Sequence, residues 1–103
     1  MKIIPLKTVE ATLPGGSLFS LSYWMQIQAI LRSPVSPQGG LDIGEIRSAI
    51  RIVDALEKAG EEADHFELED ADYNYFKKRI LAAQFKFADK AILEFVDDMT
   101  ADE

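Results

Sequence analysis

The sequence predicts a mainly α domain, about four helices with a small β-hairpin or two- to three-stranded β element (α+β). Three observations carry this expectation. Apolar residues recur at three- and four-residue spacing in four separate stretches after residue 19, the period of a one-sided helix. Residues 2–13 (KIIPLKTVEATL) and 65–69 (HFELE) alternate in part instead, as half-buried strands do. The breaks between stretches hold proline, glycine or a helix-capping Asp or Ser, residues that start or end elements for conformational reasons.

Residues 1–19 read as an extended arm or hairpin. Pro5 cannot donate to a ladder, which suits an edge strand or an irregular arm. Pro14-Gly15-Gly16 is a turn signal, with residues 17–19 a short return strand. Ser20 or Ser22 then caps a first helix on which Tyr23, Ile27, Ile30 and Leu31 recur, with Phe19 in phase before it. That helix should stop near Arg32, because Ser33 precedes Pro34. Residues 33–41 (SPVSPQGGL) form a stiff loop.

Asp42 caps a second helix running to about Ala59, with Gly60 beyond its end. Its core face is expected to be Ile43, Ile46, Ile50 and Val53, widened by Ala49, Ile52 and Leu56. Asp70 caps a third helix to about Gln84, with Tyr73, Phe76, Ile80 and Ala83 on its buried stripe and Leu81 beside it. Asp89 caps a last helix carrying Ile92, Phe95, Val96 and Met99. One domain over residues 1–103 is expected: the arm 1–19, a helical core 20–99 with the strand 65–69, and a frayed tail 100–103. The predicted core is Ile27, Leu31, Ile46, Ile50, Val53, Phe76, Ile80, Ile92, Phe95 and Val96.

Composition narrows the function classes. There is no cysteine and a single histidine, His65, so disulfides, thiolate nucleophiles and zinc sites built on Cys and His are not expected. No apolar run is long enough for a membrane span, and the start, MKIIP, lacks the long apolar stretch of a signal peptide. A cytoplasmic location is the expectation. The net charge is −7, unevenly spread. Residues 1–52 carry five basic groups against three acids, and residues 53–103 six against fifteen. Direct nucleic-acid binding needs a dense positive face, and only Lys77-Lys78-Arg79 offers a cluster, flanked by acids.

No catalytic constellation is legible. Glu67, Glu69, Asp70 and Asp72 are the densest carboxylate group, but they lack the glycine and the spaced glutamate of a calcium loop. Helix capping and solvated surface are the first expectation for them, an acidic protein-binding patch the second. His65 has no serine in a nucleophile-elbow sequence to serve. Gly15-Gly16 and Gly39-Gly40 do not continue into a phosphate-binding motif. The remaining candidates are surfaces. Tyr23 and Trp24 are adjacent, so on a helix one enters the core and the other is at least partly exposed. Arg47 and Arg51 are one turn apart, placed to clamp an anionic group or to pair with Glu45 or Asp54. The expected function is therefore non-enzymatic protein binding, with no cofactor and no metal. The candidate contact residues are Tyr23, Trp24, Arg47, Arg51, Glu67, Glu69, Asp70 and Asp72.

The stretches ILRSPVSPQG (30–39), DIGEIR (42–47), RIVDALE (51–57), LEDADY (68–73) and FVDD (95–98) resemble short acidic proteins from the structural-gene region of tailed bacteriophages and prophages. The resemblance implies a role in virion assembly, such as a tail assembly chaperone or a minor head–tail component. It implies another phage structural protein as partner, a homo-oligomer being compatible, in the bacterial cytoplasm or in the virion. It brings no catalytic residue. The alternative is an acidic regulator that binds a basic host factor by mimicking nucleic acid.

Overall fold

The computed structural model describes residues 1–33, 39–85 and 88–101. The proline-rich part of the first loop, residues 34–38, and the end of the expected frayed tail lie outside the described residues. The element order is β1 (Lys2–Pro5), β2 (Thr8–Thr12), β3 (Leu18–Ser22), α1 (Tyr23–Leu31), α2 (Ile43–Ala59), β4 (His65–Leu68), α3 (Asp70–Ala82) and α4 (Lys90–Thr100). This is the α+β class expected: the described residues form four helices and two small two-stranded antiparallel sheets.

The N-terminal arm serves both sheets. β1 pairs with β4, Lys2 opposite Leu68 through Pro5 opposite His65, and the Leu6 N–H extends the ladder to the Asp64 carbonyl at 2.8 Å. β2 pairs with β3, Thr8 opposite Ser22 through Thr12 opposite Leu18, and the Lys7 carbonyl accepts from the Tyr23 N–H at 3.0 Å. Neighbouring residues of an extended chain turn their amide groups to opposite edges, so β4 and β3 flank the arm on opposite sides. The same alternation turns the Pro5 nitrogen away from β4, where a missing N–H breaks no ladder bond. Gly16, with φ +88°, closes the hairpin in the left-handed region. The return strand runs to Ser22, three residues beyond the expected 17–19. The spacing of Phe19 to Tyr23 looks helical, but Phe19 and Leu21 face inward together as strand residues two apart.

Helix starts follow the expected caps with one exception. Ser22 Oγ accepts from the Met25 N–H, Asp42 Oδ1 from Glu45 and Asp89 Oδ2 from Ala91. Asp70 is the first residue of α3 rather than its cap. Glu69 holds the cap position without a side-chain bond, and Asp70 lies 3.3 Å from the Met1 amino group. Gly60 ends α2 with φ +95°.

The core gathers Ile4, Leu6, Tyr23, Ile27, Leu31, Ile52, Leu56, Phe66, Phe76, Ile80, Phe95 and Met99 between the sheets and the four helices. Tyr23 and Phe95 meet edge-on at 5.0 Å, and Phe66 and Phe76 at 6.0 Å. Seven of the ten predicted core positions are buried and Val96 is half-buried, but Ile46 and Ile50 are 40% and 45% exposed. Helix α2 buries Ala49, Ile52, Val53 and Leu56 instead. At 100° per residue the buried set is centred about 100° from the Ile43, Ile46 and Ile50 set. The apolar arc on α2 is about 180° wide, more than its neighbours cover.

Candidate functional site

The structure does not gather the eight candidate contact residues into one site. Tyr23 is fully buried, and its hydroxyl donates to Asp98 Oδ2 at 2.8 Å. Lys7 Nζ bridges the same cluster, 2.7 Å from Glu94 and 3.3 Å from Asp98, and lies 5.8 Å from the centre of the Tyr23 ring. Burial, and then the bond to Asp98, push the Tyr23 hydroxyl well above its ordinary pKa. The hydrogen bonds to Glu94 and then Asp98 raise that of Lys7. Tyr23 is thus a core anchor joining α1 to α4.

Arg51 and Asp72 meet each other. The Arg51 Nε donates to Asp72 Oδ1 at 3.0 Å, and a terminal nitrogen, also 3.0 Å from that oxygen, donates to Ser48 Oγ at 3.2 Å. The partner is neither Glu45 nor Asp54 but Asp72 in the first turn of α3, a helix that packs against α2. Glu67 and Glu69 are exposed at the end of β4. Arg47 is exposed, with no hydrogen bond or ion pair to a described residue.

Sequence reasoning missed two features. The first is Arg79, read as part of a basic cluster but 2% exposed. Its guanidinium donates to the carbonyls of Ile30, at 2.6 Å, and Ser33, and to Tyr75 Oη at 2.8 Å. It thereby caps the end of α1, while its Nε has no hydrogen-bond partner among the described residues. Its place on the stripe of Tyr73, Phe76 and Ile80 was the available signal. The second is the exposed face of α2. Ile43, Ile46 and Ile50 are 64%, 40% and 45% exposed, recur at i, i+3 and i+7, and have Arg47 at their edge.

Trp24 is half-buried, and its indole N–H donates to the Leu56 carbonyl at 3.1 Å. It lines an open groove of about 610 Å³ between the hairpin and the turn from α2 to β4. Leu6, Met25 and Ala63 complete the apolar lining, and Thr8, Ser20 and Ser22 supply hydroxyls. Glu61, Glu62 and Asp64 are its acidic lining residues. Among the described residues no group of three His, Cys, Asp or Glu side chains is arranged to hold a metal ion, and no helix is long and apolar enough to cross a membrane. His65 Nδ1 lies 2.6 Å from Asp64 Oδ1, and no hydroxyl bonds the ring among the described residues.

Fold and side chains together describe a small α+β domain whose distinctive features are surfaces. No family model, no curated protein and no solved structure matches the chain.

Proposed function

We propose that this chain is a non-enzymatic protein-binding domain of tailed-phage or prophage virion assembly, and that its contact surface is the free face of α2. One observation carries the contact surface: Ile43, Ile46 and Ile50 stand in solvent on a helix that buries only the neighbouring arc of Ala49, Ile52, Val53 and Leu56. Large aliphatic side chains aligned at helical spacing and left in water favour association with another apolar face. Arg47 flanks this face on the Ile43 side without a hydrogen bond or ion pair to a described residue, so the fitting occupant is an amphipathic helix with carboxylates beside its apolar stripe. The likeness of residues 30–98 to short acidic phage proteins supports a phage structural protein as its source.

The reading as a nucleic-acid mimic draws less support. Glu57, Asp72, Glu94 and Asp98 are already paired with Arg32, Arg51 and Lys7, which divides the acidic surface.

The test is capture of purified head and tail proteins encoded beside this chain, using the native protein and the variant I46E/I50E. Capture of one of them, lost in the variant at unchanged melting temperature, is the expected result. Equal capture by the variant, or capture of none, overturns the proposal.

A further inference from the structure

We propose that the groove between the hairpin and the α2–β4 turn binds a basic peptide segment. The aliphatic stem of a lysine or arginine would rest on Trp24 and Met25, with its charge at Glu61, Glu62 and Asp64.

The groove, at about 610 Å³, lies in the range of clefts that hold small ligands or single side chains. Its apolar wall is ready-made. The Trp24 ring is fixed by its bond to the Leu56 carbonyl, so little order is lost on binding. Met25 is 59% exposed, a flexible thioether able to close over an alkyl chain.

Its charge is one-sided. Among the described residues Lys7 is the only Lys or Arg lining the groove, and its ammonium is held by Glu94 and Asp98. Asp64 meets His65, while Glu61 and Glu62 have no hydrogen bond or ion pair among the described residues. Anions are repelled from such a cleft. An amphipathic cation matches both parts, stem on the apolar wall and head at the carboxylates. This site uses none of the α2 isoleucines and does not rest on the phage reading.

Trp24 is the single tryptophan, so its emission reports occupancy directly. End-blocked tetra-lysine is titrated into the intact chain, with tetra-glutamate as control. A saturable change with tetra-lysine alone, weakened by added salt, is expected. The variant E61Q/E62Q/D64N, changed only at exposed carboxylates, is expected to bind about tenfold more weakly. M25A should weaken binding as well, without altering charge. No saturable change, an equal response to tetra-glutamate, or unchanged binding in both variants overturns the proposal.

Discussion

The Tyr23 hydroxyl donates a 2.8 Å hydrogen bond to Asp98 Oδ2 and so fastens the start of α1 to α4, 75 positions away in the chain. Y23F keeps the buried ring against Phe95 and removes only this bond. The expected cost is about 1 kcal/mol, or a melting temperature lower by roughly 5 °C for a domain of this size. An unchanged melting temperature in Y23F shows that the bond contributes nothing net.

The same cluster sets an alkaline limit. Tyr23 and Lys7 both hold their protons more tightly in the folded chain than at their ordinary values of 10.0 and 10.5. Above those values the unfolded chain binds fewer protons than the native one, so stability falls as pH rises. Below them this contribution is fully present. The urea midpoint is expected to decline from about pH 10 upward, and less steeply in Y23F. A midpoint that rises over that range contradicts the assignment.

Arg79 presents a buried guanidinium whose terminal nitrogens donate to two carbonyls and the Tyr75 hydroxyl, with no bond to a carboxylate among the described residues. R79M leaves the Ile30 and Ser33 carbonyls at the end of α1 without that donor. A loss of about 3 kcal/mol is expected in urea unfolding. R79K should recover little of it, since an ammonium cannot reproduce the planar fork. A neutral R79M would mean that packing alone holds the end of α1.

Helix α2 offers a contrast between neighbours in sequence. Ile52 is fully buried and Ile50 is 45% exposed. I52A is expected to cost about 3 kcal/mol through the cavity it leaves, and I50A less than about 1 kcal/mol. Paired thermal melts check this. Equal losses would place Ile50 in the core and remove the free face on which partner binding is proposed.

Capping separates Asp42 from Asp70 in the same way. D42A removes a 2.8 Å bond to the Glu45 N–H and should cost about 1 kcal/mol. D70A removes no cap and should cost less than half as much. The reverse order in thermal melts would restore Asp70 as the cap.

Features that depend on neighbours along the chain were legible before folding. Local steric preference and side-chain-to-backbone bonding made Ser22, Asp42, Gly60 and Asp89 legible as helix boundaries, and alternation at residues 65–69 made β4 legible. Features that depend on which element packs against which emerged with the packed fold. Periodicity marks an apolar arc but not which part of it a neighbour covers. The core side of α2 therefore lay at Ala49, Ile52 and Leu56, and Ile43, Ile46 and Ile50 were left in water. Charge counts were equally blind to partners 21 to 91 positions away. Folding turned Arg51 and Asp72 from candidate contacts into each other's partner and set Lys7 between Glu94 and Asp98. It also placed Arg79, basic by type, inside the core as the cap of a helix that ends 48 residues earlier.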